Sequence, residues 1–136
     1  MLKKTITYTD FNGFERTEDY YFNLTEAELT EMEMSTDGGL SEMIEQIIKS
    51  KNVPQIIAVF KDLLLKAYGE KSADGRHFYK SEQLAKDFAC TQAYSDFYME
   101  LARDPDLAAK FIEGILPAKA VKEATKLTPI TDSVNQ

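Results

Sequence analysis

His77 is the single histidine of this 136-residue chain and Cys90 its single cysteine, so the side chains behind most nucleophilic and metal chemistry occur once each. A structural zinc site wants several histidine or cysteine ligands, and a catalytic triad wants a base beside its nucleophile. His77 lies between Arg76 and Phe78 in a polar stretch and reads as a solvated loop histidine. Cys90 follows Phe88 and Ala89 on an apolar helical face and reads as a small buried residue. Carboxylates are plentiful, but general-acid chemistry needs one of them buried with a raised pKa. Theirs are surface-like positions with no motif around them. Gly38-Gly39 is followed by no Lys-Ser/Thr and preceded by no strand, so it is not a phosphate loop. Asp74-Gly75 lacks the carboxylate spacing of a calcium loop. The residues therefore predict no catalytic, cofactor-binding or metal site, and a protein that is not an enzyme.

Two features suit binding instead. Met32, Met34 and Met43 cluster in an acidic segment, and methionine, being flexible and polarizable, adapts to varied apolar partners. Seven tyrosines and eight phenylalanines, with no tryptophan, supply a core and leave some over for an interface. From these the candidate partner-facing residues are Leu29, Met32, Met34, Met43 and Ile47. The bland alternative is that they seal this region to the core.

The elements that must position these residues follow from pattern. Leu40, Met43, Ile44, Ile47 and Ile48 fall at helical spacing. After Val53-Pro54 a denser run follows, Ile56, Ile57, Val59, Phe60, Leu63, Leu64, Leu65, Ala67 and Tyr68, apolar on more than one face and so predicted to be covered from two sides. Residues 2–23 predict a β-hairpin around Asn12-Gly13. A three-residue loop, Phe11-Asn12-Gly13, pairs Leu2 with Phe22 and Ile6 with Glu18. It gathers Leu2, Ile6, Tyr8, Phe14, Tyr20 and Phe22 on one face and leaves Thr5, Thr7, Thr9, Glu15, Thr17 and Asp19 on the other. A two-residue loop scatters the aromatics over both faces, and a one-residue slip exchanges the faces, so the first register is preferred.

Thr25 and Glu28 form a capping box for a helix over about 26–34, with Leu24 as its staple. Ser35–Gly39 ends it, and Ser41 caps a helix to about Lys51. Asn52 or Val53 caps the main core helix, which carries Pro54 in its first turn and stops at Gly69. Residues 70–80 read as a polar loop turning at Asp74-Gly75. Ser81 restarts a helix, and Thr91 either caps another after a break, the preferred reading, or lies within one longer helix. Asp104-Pro105 starts the last helix and Pro117 ends it. The segment 118–136 is expected to be a flexible tail, helical at most to Lys126. The fold class is thus α+β, mainly α: an N-terminal β-hairpin and a compact bundle of five to six helices within one domain, residues 1–117.

The balance of 16 basic against 23 acidic side chains gives a net charge of -7. It is uneven: ten acids against Arg16 alone lie between Glu15 and Glu45. Phosphate binding asks for the opposite sign, so a nucleic-acid partner is not expected. The run is either a solvated face or a surface for a basic partner. One cysteine allows no intramolecular disulfide and fits a reduced, intracellular setting. No apolar stretch reaches membrane-span length and no leader pattern opens the chain, so no membrane role is expected.

Three stretches carry a resemblance: YYFNLTEAELTEMEMSTDGGLSEMIEQII, IIAVFKDLLLKAYGEKSADGRHFYKSEQLAKDF and AYSDFYMELARDPDLAAKFIEGILP. Over roughly residues 3–117 the chain resembles the tail assembly chaperones of siphophages that infect Gram-positive bacteria. The resemblance implies assembly rather than catalysis, in the cytoplasm of the bacterial host. Such proteins bind the long, apolar tape measure protein, keep it soluble and give way to the tail tube protein; they are absent from the finished virion. In many phages a ribosomal frameshift late in the gene adds a second domain, for which the segment after Pro117 would be the junction. Association of copies into a homo-oligomer, for example through the hairpin, is compatible with that role. The alternatives are a structural or connector component of the particle, and an acidic inhibitor that mimics DNA and binds a host protein.

Overall fold

The structure is a computed structural model that describes residues 1–35 and 53–117, together with Glu42, Glu45 and Lys49. The first turn is set by Asn12-Gly13. Gly13 takes a φ of 90°, in the left-handed region open to glycine, and the Asp10 amide donates to the Phe14 carbonyl across a three-residue loop. Strands β1 (Leu2–Thr9) and β2 (Glu15–Phe22) pair antiparallel, with Leu2 opposite Phe22 and Ile6 opposite Glu18. This is the register that collects the apolar residues on one face. Ile6, Tyr20 and Phe22 are buried, and Leu2 and Tyr8 pack against them. The outer face is a polar ladder in which Thr5 donates to Asp19 and Thr7 meets Thr17 at 2.9 Å.

Helix α1 (Glu26–Ser35) begins at the expected capping box: the Glu28 amide donates to Thr25 Oγ1 at 3.1 Å, and the Thr25 amide to Glu28 Oε1 at 2.8 Å. Leu24 before the cap and Leu29 after it both enter the core. The predicted 35–39 turn beyond Ser35 and most of the predicted 41–51 helix lie outside the described residues; within that span Glu42, Glu45 and Lys49 are helical. Helix α2 (Val53–Ala67) has Pro54 in its first turn and buries Phe60, Leu63, Leu64 and Ala67, one stripe at helical spacing.

The expectation that this helix runs to Gly69 into a polar loop is corrected here. Helix α2 ends at Ala67, and the chain passes directly into β3 (Tyr68–Lys71), which pairs with β2 on one side and with β4 (Phe78–Tyr79) on the other. The sheet order is β1-β2-β3-β4. Two contacts hold the extra strands. Tyr68 stacks on Phe88 with ring centroids 4.3 Å apart, and Gly69 lies so close to β4 that a Cβ would stand 2.7 Å from the Tyr79 carbonyl oxygen. The turn between them does sit at Asp74-Gly75, where Asp74 accepts from Ser72 Oγ and from the Arg76 amide, and Gly75 has a φ of 77°.

Three helices complete the chain. Ser81 caps α3 (Glu82–Ala89), Thr91 caps α4 (Gln92–Arg103) after the expected break, and Asp104 with Pro105 starts α5 (Pro105–Ile115). They cover the inner face of the sheet. Phe22 is at the centre, within 6 Å of the rings of Tyr68, Phe88, Phe97 and Phe111. Helix α2 packs on α3, α4 and α5. The architecture is α+β, mainly helical, with the hairpin at the N-terminus.

Candidate partner-binding surface

Reactive groups are not brought together among the described residues. Among the described residues no three histidine, cysteine or acidic side chains stand close enough to hold a metal ion. His77 is exposed in the β3–β4 turn and stacks on Tyr79. Cys90, expected to be buried, is exposed. The reason is the break: Cys90 is the C-cap residue between α3 and α4, so it leaves the apolar face on which Phe88 sits.

Large apolar side chains do reach the surface; beside the scattered Met1, Tyr79 and Met99, the most exposed among the described residues are Phe11, Phe14 and Met34, at two places. One is the tip of the hairpin. Asp10 Oδ1 accepts from the amides of Asn12 and Phe14, each at 2.9 Å, and Asp10 Oδ2 accepts from Arg16 Nε at 2.6 Å. These bonds fix the loop, and it presents Phe11 at 77% and Phe14 at 66% exposure. Phe14 was expected on the packed face. It follows that face's alternation but lies beyond the reach of the covering helices. Behind the tip, Glu18 Oε1 accepts from Tyr8 Oη at 2.6 Å and from Tyr20 Oη at 2.8 Å. The Tyr8 hydroxyl, then the Tyr20 hydroxyl, hold the Glu18 carboxyl below its ordinary value. The Arg16 guanidinium, followed by the Phe14 amide, does the same for Asp10. The tip is therefore a braced charged hairpin end bearing two phenyl rings.

The other place is the end of α1. Met34 is 83% exposed, Met32 is half-buried against the core, and Leu29 is buried at 8%. Met43 and Ile47 lie outside the described residues. Thus one of the five expected partner-facing residues is open to solvent, one borders the core and one belongs to it. Helix α1 is anchored by a contact the sequence does not advertise. Lys80, between β4 and α3, donates to both carboxylate oxygens of Glu28, at 2.8 and 2.9 Å, and to the Asn23 carbonyl. Burial pushes the Glu28 carboxyl up, but Lys80 and the Thr25 amide outweigh it and leave the pKa below the ordinary 4.5.

The missed apolar residues had one readable signal. Phe11 and Phe14 flank Asn12-Gly13, and side chains next to a two-stranded turn project past the sheet. Lys80 and Glu28 are 52 residues apart, with no pattern linking them. No helix among the described residues is long and apolar enough to cross a membrane.

A family model described as phage tail assembly chaperone matches residues 1–135. No curated protein and no solved structure gives a significant match.

Proposed function

The chain belongs to the phage tail assembly chaperone family, and we propose that it acts there by binding the tape measure protein and keeping it soluble until tail tube subunits replace it. The observation that carries this reading is the family match, which spans residues 1–135. Its physical requirements are modest. A long apolar partner needs a charged carrier with flexible or projecting apolar contacts, and no catalysis. Net charge of -7, the exposed Met34 and the phenyl rings of Phe11 and Phe14 meet them.

The proposed contact residues are Met32 and Met34, with Leu29 beneath them, and, from the sequence alone, Met43 and Ile47. The hairpin tip is a second contact point. The proposed setting is the cytoplasm of a bacterial host during assembly, with the siphophages of Gram-positive bacteria as the narrower group. Several copies along one tape measure chain, with or without contact between copies, are part of the same reading.

The test is co-expression with the tape measure protein encoded in the same genome, followed by pull-down. A soluble complex is expected, weakened by Met34→Asp and by Phe11→Ser with Phe14→Ser. These positions are exposed, so circular dichroism should remain unchanged. An insoluble tape measure protein and no complex would overturn the proposal.

A further inference from the structure

Strand β2 has two edges, and they are used unequally. Towards β1 it pairs along its whole length. Towards β3 it pairs only through Tyr21 with Gly69 and Phe22 with Tyr68. The rest of β3 goes with β4 instead, Glu70 opposite Tyr79 and Lys71 opposite Phe78. The Asp10 amide bonds to the Phe14 carbonyl, and antiparallel pairs alternate between bonded and non-bonded. Tyr8/Arg16, Ile6/Glu18 and Lys4/Tyr20 are then the bonded pairs. The N–H and C=O groups of Glu15, Thr17 and Asp19 consequently point away from β1, and on that side no strand among the described residues pairs with them. Where the two hairpins part there is an open groove of about 490 Å3, lined by Glu18, Asp19 and Tyr21 of β2 and Tyr68, Glu70 and Lys71 of β3.

An unpaired strand edge is a template for another strand, and charge decides which strand it accepts. Residues 15–19 carry three carboxylates and Arg16. Pairing with the same edge of a second copy about Thr17 would set Glu15 opposite Asp19 of the other copy, and like charges directly opposite are destabilising. It would also set Arg16 near Glu18, but Arg16 is already held by Asp10 at 2.6 Å. On the groove's far wall Glu70 has no ion pair among the described residues, and Lys71 lies over the Tyr21 ring. On the near wall Lys3 meets Asp19 only at 3.7 Å. The edge is thus set against its own copy and open to the opposite charge.

We propose that the free edge of β2 captures an extended basic segment of a partner polypeptide as an added strand. Its backbone bonds to Glu15, Thr17 and Asp19. Side chains alternate across a sheet, so positions opposite Glu15 and Asp19 are four residues apart on the added strand. The preferred ligand therefore carries lysine or arginine at that spacing, with an uncharged β-former midway, opposite Thr17.

The test uses the full chain, labelled for amide NMR. The probe is an acetylated, amidated nine-residue peptide of threonine and valine with two lysines four apart. Slowed exchange is expected at the Thr17 and Asp19 amides. The same peptide with alternate amides N-methylated keeps its charge but cannot pair, and should bind at least about tenfold more weakly. Glu15→Lys with Asp19→Lys should reject the lysine peptide and accept its glutamate counterpart. Equal binding of the N-methylated peptide, protection elsewhere in the chain, or no binding at about millimolar peptide would each overturn the proposal. The tape measure protein takes no part in this test, so its failure would leave the proposed chaperone role standing.

Discussion

Replacing Lys80 by methionine should destabilise the fold far more than an ordinary surface lysine would. Methionine keeps the length of the aliphatic stem and removes the ammonium. What is lost is two bonds to Glu28 and one to the Asn23 carbonyl. Exposed ion pairs contribute about 0–1 kcal/mol, and breaking a fully buried one costs about 3–5 kcal/mol. Lys80 lies between these limits, with side-chain exposure of 18% against 35% for Glu28. A cost of about 2 kcal/mol follows once the bonds to a charged group are discounted for solvent. For a chain of this size that lowers the melting temperature by roughly 6–10 °C. The internal control is Lys66→Met. Its partner Asp62 is one helical turn away, both side chains are more than half exposed, and the cost should stay within about 0.5 kcal/mol. Thermal and urea unfolding of Lys80→Met, Glu28→Gln and the double variant would give a coupling of about 1 kcal/mol. If Lys80→Met cost no more than Lys66→Met, or if the two sites proved additive, the anchoring of α1 through Lys80 would be refuted.

Three further outcomes follow from the same structure. Gly69→Ala places a Cβ 2.7 Å from the Tyr79 carbonyl oxygen and 2.8 Å from the Phe78 ring, so β4 must shift; a loss of about 1–3 kcal/mol is expected in urea unfolding. The carboxyls of Asp10, Glu18 and Glu28 are all held below their ordinary values of 3.8, 4.5 and 4.5 in the folded chain. Their contribution is therefore present above about pH 4.5 and is lost as pH falls through the folded values, so the unfolding midpoint should fall below pH 4.5, modestly because Asp10 and Glu18 are screened by solvent, and Glu28→Gln should shallow that fall most. Charge reversal at Glu15 and Asp19 removes the Thr5 and Lys3 contacts of Asp19, so it should lower the unfolding free energy by about 1 kcal/mol while leaving the chain folded and abolishing capture of a basic peptide, as read by urea unfolding and peptide titration.

What the sequence discloses and what it hides divide along physical lines. The hairpin register is legible because Asn12-Gly13 marks the turn and, of the two-residue and three-residue loops, only the latter puts Ile6 on the face that Tyr20 and Phe22 share. The starts of α1, α3, α4 and α5 are legible because Thr25, Ser81, Thr91 and Asp104 are capping residues placed just ahead of helical periodicity. Strands β3 and β4 are not, since four and two residues are too few to show alternation. The demand for glycine at position 69 comes from Phe78 and Tyr79, which arrive only once the chain has folded back. Cys90 deceived because the periodicity of α3 extends on paper one residue past its true end. Phe14 deceived because alternation tells which face a side chain takes and not whether anything covers that face. Of the five expected partner-facing residues, Leu29 and Met32 show the same ambiguity, since an apolar stripe on a short helix reads alike whether it meets the core or a partner.

The most direct measurement is the aggregation of purified, denatured tape measure protein, followed by light scattering after dilution with and without this chain. Aggregation should be suppressed at near-stoichiometric amounts of the chain, and less so by Met34→Asp and by the Phe11, Phe14 double serine variant. Unchanged aggregation in the presence of excess folded chain would contradict the proposed chaperone role.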